Sequence, residues 1–144
     1  MSDYGRSAGI SFKFGGTIAN SLPAHRLIQY FQEAPQGSPE LADRIVNSLY
    51  ILYFEQEAHP ADDQTLLHAA TEAGISLEAA QAAIRNRTEG VQDVKALIRE
   101  QVGDGVDSVP YIVFEGKKRD FTLVGAQEVG EYVQALEQVA KESE

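Results

Sequence analysis

The chain has 144 residues, 43% of them hydrophobic and 24% charged, the composition of a soluble globular protein; its length suits one domain able to bury about two-thirds of the surface its unfolded chain would expose. Lys and Arg number 12 against 22 Asp and Glu, a net charge of -10, and with no basic stripe to displace counterions nucleic acid is excluded as a partner. There is no Cys, which rules out disulfide exchange, thiolate nucleophiles and thiolate metal sites. The three histidines, His25, His59 and His68, are too widely spaced for a local metal motif, so no metal or other cofactor is expected.

From the N-terminus, "MSDYGRSAGISFKFGG" lacks the basic-then-apolar profile of a signal peptide, and the longest mainly apolar run, 45–54, is far short of a membrane span. A cytoplasmic location without membrane attachment is expected. Ile10, Phe12 and Phe14 alternate with Ser11 and Lys13, which reads either as a short half-buried strand closed by Gly15 and Gly16 or as an extended segment pinned by its aromatics. Ser21 as N-cap and Pro23 in the first turn predict a helix carrying Ala24, Leu27, Ile28 and Phe31 on one face. Ser38 followed by Pro39 is a strong helix start. The helix it opens has Leu41, Ile45, Leu49 and Leu52 on one stripe, with Val46, Tyr50, Tyr53 and Phe54 extending apolar character round the cylinder, so it is expected to be central.

Asp62 or Asp63 opens a third helix that Gly74 closes in the left-handed conformation. Ser76 caps a fourth, and Thr88 a fifth, with Val91, Val94, Leu97 and Ile98 expected to face inward and Gly103 to stop it. Then the period changes from 3.6 to 2. Residues 111–114 and 119–124 are β-rich runs separated by "EGKK", a hairpin signal. From about Gln127, Val129, Tyr132, Val133, Leu136 and Val139 predict a last amphipathic helix.

This order, with Val109-Pro110 leading the hairpin and "LVGAQ" leading the last helix, resembles the DsbA-like thioredoxin family, in particular its FrnE-like branch. "FGGTIANSLPAHRLI" is similar to the stretch by which that branch enters its inserted helical subdomain, and "GVDSVPYIVFEGKKRDFTLVGAQEVGEYVQAL" to its C-terminal strand, strand and helix. The resemblance covers roughly residues 9–140. It implies an α+β, thioredoxin-like fold in one domain, with a helical subdomain over about 20–103 and a hairpin plus helix over about 106–141, and residues 9–14 as an optional third strand. It also implies a cis bond before Pro110, with Val109 and Pro110 beside the substrate.

Full members of the family open with a strand, a CxxC-bearing helix and another strand, whereas this sequence resembles only the elements after that unit. The resemblance therefore implies a truncated, non-redox member whose hairpin has lost its neighbours. A lone hairpin is marginal in water and exposes pairing edges. A third strand from residues 9–14, a second copy or a complementing chain would each remedy this, and a homodimer through the hairpin edge is the expectation, since twofold dimers are the commonest oligomers.

In full members the helical insert and the cis-proline loop line a substrate cleft, so the resemblance points to a small-molecule pocket here. His25, Arg26 and Tyr53 are the candidate catalytic residues, and Asn20, Tyr50, Glu57, Val109, Pro110 and Tyr111 the candidate substrate-binding ones. Histidine moves protons near neutral pH, while tyrosine or arginine holds an enolate or phenolate oxygen. That chemistry suits a cofactor-independent isomerase, cyclase or dehydratase, and the FrnE-like branch is associated with polyketide pathways. The alternative is a ligand-binding or scaffold protein, or a fragment completed by another chain. On that alternative His25 merely orients or caps its helix and the "LYILYF" aromatics are core.

Overall fold

The computed structural model describes residues 2–35 and 37–143. Among these the fold is α+β, with seven helices and one two-stranded antiparallel sheet. The chain divides into two compact units, Met1–Ala96 and Leu97–Glu144.

The first unit begins with α1 (Ser2–Ser7), a short helix outside the expected set. After a turn at Gly9, residues 10–14 have no regular secondary structure, and residues 9–14 form no strand. Three backbone N–H groups of this strap are instead held at the end of α3 (Pro39–Gln56): Lys13 donates to the Phe54 carbonyl at 2.8 Å, Ser11 to Glu55 Oε2 at 3.1 Å and Gly15 to Glu57 Oε1 at 2.7 Å. The alternation of aromatics therefore serves stacking rather than sheet pairing, with Phe12 edge-on to Phe54 at 5.7 Å. A Cβ at Gly15 would sit 2.7 Å from Glu57 Oε1, so a larger residue there would displace that carboxylate.

α2 (Leu22–Glu33) buries Ala24, Leu27 and Phe31, as the 3.6-residue period dictates. α3 starts where Ser38 Oγ accepts from the Leu41 N–H at 3.1 Å, and it buries Ile45 and Leu52. α4 (Asp63–Glu72) is followed by Gly74 at φ +98°, the left-handed residue its end needs. α5 (Leu77–Arg85) is capped by Ser76 Oγ. α3 packs between α2 and α4, and α4 on α5, around a core in which Leu27, Ile45 and Leu66 are fully buried. Burying each such side chain is worth about 1.5–3 kcal/mol.

α6 (Val91–Gly103) starts later than expected. The Thr88 hydroxyl donates to Asn86 Oδ1 instead of capping the helix, and Gly90 at φ +73° turns the chain first. The division between units falls inside α6. Val94 is buried, but Leu97 and Ile98 are exposed, contrary to the inward placement expected of them.

In the second unit β1 (Tyr111–Phe114) pairs with β2 (Phe121–Val124) in the register Tyr111↔Val124, Phe114↔Phe121. The Val109-Pro110 bond is cis. The connection is longer than "EGKK" because Asp120 Oδ1 accepts from the Gly116 N–H and Arg119 turns out of the strand, its guanidinium lying 4.7 Å over the Phe121 ring and bonded to Glu142. α7 (Val129–Ser143) packs against both strands.

Candidate functional site

A cavity of about 540 Å³ opens in the helical unit, within the 300–1,000 Å³ range of ordinary ligand pockets. Its walls come from Ala19 and Ser21, from Ala24, His25 and Ile28 of α2, from the second apolar stripe of α3, and from Pro60 and Thr65 at the start of α4. From that stripe come Val46, Tyr50, Tyr53 and Phe54, joined by Leu49 at the edge of the core-facing stripe. α3 thus turns one apolar stripe into the core and the other into this cavity, which is why its sequence is apolar round so much of the cylinder. Tyr53 meets Phe54 edge-on at 4.9 Å and Tyr50 lies 5.7 Å from Phe54, so the three rings make one aromatic wall.

His25 is the only ionisable group of the lining apart from the tyrosine phenols. Its Nδ1 lies 3.1 Å from the Ser21 carbonyl oxygen, which can only accept, so Nδ1 carries the proton and the neutral ring keeps its lone pair on Nε2. Ser21 and His25 sit one helical turn apart, so this tautomer is set locally. The same carbonyl accepts from the His25 backbone N–H. Thr65 was not legible as a site residue. It is 8% exposed and lines the cavity, and among the described residues its hydroxyl has no protein partner. Among those residues no buried side-chain polar atom is left unpaired.

Of the candidate catalytic residues, His25 and Tyr53 are therefore brought together, with Tyr50 beside them, and Arg26 is not. Arg26 is 4% exposed and faces the other side of α2, where Nη2 donates to the Ala83 carbonyl at 2.7 Å and Nη1 to that of Glu89 at 3.4 Å. Burial lowers its pKa, with Glu89 pulling the other way. Its role is to tie the end of α5 and the loop before α6 to α2. Arg26 lies about 100° round α2 from His25, on the side where it meets the Ala83 carbonyl.

Asn20 also leaves the substrate-binding set, since its Oδ1 accepts from the Leu22 N–H at 3.0 Å and supplies the side-chain cap expected of Ser21. Glu57 ends α3 at φ 59° and spends its carboxylate on Gly15, so it does not line the cavity. Val109, Pro110 and Tyr111 belong to the hairpin unit, where the Pro110 carbonyl accepts from the Gly125 N–H at 2.8 Å. Among the described residues no group of three or more His, Cys, Asp or Glu is gathered to hold a metal ion, and no helix is long and apolar enough to cross a membrane.

A family model described as "DSBA-like thioredoxin domain" matches residues 1–137. No curated protein matches the chain.

Proposed function

Because the chain belongs to the DSBA-like thioredoxin domain family yet has no cysteine, we propose that it is a non-redox member acting on a small molecule in the cavity of its helical unit. The observation that carries this is His25, its Nδ1 held by the Ser21 carbonyl, in the wall of an aromatic cavity. The chemistry is cofactor-independent isomerisation, or the related cyclisation or dehydration. Nε2 takes a proton from a carbon next to a carbonyl, giving imidazolium and an enolate, and the Tyr53 phenol donates to the enolate oxygen. Where a double bond is conjugated with the enolate, return of the proton to its far carbon completes the isomerisation with no oxidant or reductant.

The FrnE-like resemblance supports a polyketide-like substrate in natural-product biosynthesis, in the cytoplasm. The test is native mass spectrometry of the chain with a producing strain's metabolite extract, followed by turnover assays. A bound metabolite that is converted by the wild type and about 10²–10⁴-fold more slowly by His25→Ala supports the enzyme. A metabolite that binds and is never converted leaves a binding protein instead.

For assembly, we propose a homodimer through the hairpin edge. What supports it is that β1 and β2 form a sheet of two strands among the described residues, each with one unpaired edge, and Val113 and Val124 are exposed.

A further inference from the structure

α7 carries two apolar stripes, and its own unit covers one of them. The inner stripe is Tyr132, Ala135 and Val139, with Ala135 buried and the other two half-buried. The second is Val129, Val133, Leu136 and Ala140, at the i, i+4, i+7, i+11 spacing of a continuous helical stripe and roughly 100–160° round the helix from Ala135. It is exposed: Val129 by 76%, Leu136 by 56% and Val133 by 46%. The opposite flank holds Gln134, Glu137 and Lys141 and is solvated.

The hairpin fixes the side to which the second stripe points. The Gly125 N–H donates to the Pro110 carbonyl, so Ile112↔Leu123 and Phe114↔Phe121 are hydrogen-bonded pairs of the sheet. These four side chains are half-buried, and the guanidinium lying over the Phe121 ring is bonded to Glu142, so theirs is the face that α7 covers. α7 starts beside Val124, whose carbonyl accepts from Gln127 Nε2, and returns to the turn, where Lys117 Nζ donates to the Ser143 carbonyl; it therefore runs parallel to β1. With L-residues and a right-handed helix in that arrangement, the second stripe lies on the β1 side of α7. The outer edge of β1 is unpaired among the described residues.

We propose that this stripe is covered by the same stripe of a second copy of the chain, across a twofold axis at the outer edge of β1. This rests on the hairpin-edge homodimer proposed above and adds to it which edge pairs and what the second contact is. Two β1 strands joined edge to edge make a four-stranded antiparallel sheet with both α7 helices on one face. Each helix lies over its own two strands, so the helices stand two strand spacings apart, about 9.5 Å, which falls within the 8–10 Å at which helices pack. Pairing of four-residue strands alone buries far less than the roughly 1,200 Å² of a stable interface, and the stripe is the apolar surface on the same side. The stripe is also self-complementary, as a twofold contact requires. An axis midway along it sets Val133 against Leu136 of the second copy and Val129 against its Ala140, and no charged residue interrupts it.

The test is sedimentation of the full chain and its variants, with crosslinking that exploits the absence of any native thiol. The wild type is expected to dimerise, and Leu136→Glu to raise the dissociation constant at least about tenfold while leaving the circular dichroism of the chain unchanged, because the dimer would bury an unpaired carboxylate. A mixture of Val133→Cys and Leu136→Cys chains is expected to form a disulfide-linked dimer under mild oxidation faster than either chain alone, and Gln134→Cys on the solvated flank to form none. A Leu136→Glu chain that folds and dimerises as the wild type does overturns the α7 contact, as does a mixture that fails to crosslink. Should Leu136→Glu fail to fold, the crosslink decides. If either of these negative results is found in a dimer that Val113→Lys still weakens, the hairpin-edge dimer stands without the α7 contact. A wild type that is monomeric at high concentration overturns both, and leaves the stripe to a different protein.

Discussion

The helical unit and the hairpin unit use similar proportions of apolar side chains to different ends. In the first, four helices converge so that Leu27, Ile45 and Leu66 lose all contact with solvent and a ring of alanines, among them Ala69, Ala70 and Ala80, lets the helices approach closely. In the second, among the described residues, Ala135 alone is buried, and Val113, Val124, Val133 and Leu136 stay exposed. A two-stranded hairpin with one helix cannot enclose a core, because a single helix covers only part of so small a sheet. The helical unit supports a cavity at its flank because its interior is complete, whereas the hairpin unit offers edges and an apolar surface to a partner.

The contrast predicts its largest effect in the core. Ile45→Ala is expected to cost about 2–5 kcal/mol in urea denaturation, while Leu123→Ala, on the half-buried face of the sheet, costs under about 2 kcal/mol; equal losses would mean that the hairpin unit has a core of its own. Next comes Arg26→Met, which leaves the Ala83 and Glu89 carbonyls without their donor and is expected to destabilise the chain by about 1–3 kcal/mol while leaving turnover intact. A stable Arg26→Met chain that lost turnover would return Arg26 to the catalytic set.

For the hairpin, Val113→Lys is expected to convert a dimer to a monomer, raising its dissociation constant at least about tenfold by light scattering, since a lysine on an exposed strand opposes pairing. A chain already monomeric at high concentration would sink the homodimer.

The smallest effect concerns Glu142, whose pKa is lowered, first by the hydrogen bond from Arg119 and then by that from Gln138. A carboxylate depressed in the folded state stabilises it above its unfolded pKa, and that contribution is lost as pH falls through the lower folded value. The hairpin turn is thus expected to loosen from the end of α7 only below the ordinary carboxylate range, read as a Glu142 carboxyl NMR titration displaced to low pH and returned to the ordinary range by Arg119→Gln.

Much of the fold was legible because its signals are local. Ser38 with Pro39, Ser76, Gly74 and the change of period near residue 106 each act within a turn or two of chain, so helix starts and the hairpin could be read directly. The strap was readable only as one of two alternatives, since alternating Ile10, Phe12 and Phe14 suit a strand equally well and the deciding partners, Phe54 and Glu57, lie some forty residues away. Of the candidate site residues, His25, Tyr50 and Tyr53 line one cavity while Arg26, Asn20 and Glu57 do not, because nearness in sequence does not say which side of a helix a residue occupies.

By itself, then, the sequence determined the absence of thiol chemistry, the acidic surface, the family and the order of elements, all of which depend on composition and short-range capping and periodicity. Only the tertiary structure decided that α3's second apolar stripe lines a cavity rather than the core, that Arg26 is committed to carbonyls, and that Thr65 lines the same cavity as His25. Those outcomes depend on which faces of α2, α3 and α4 meet, and that is a property of packed helices which no single stretch of chain carries.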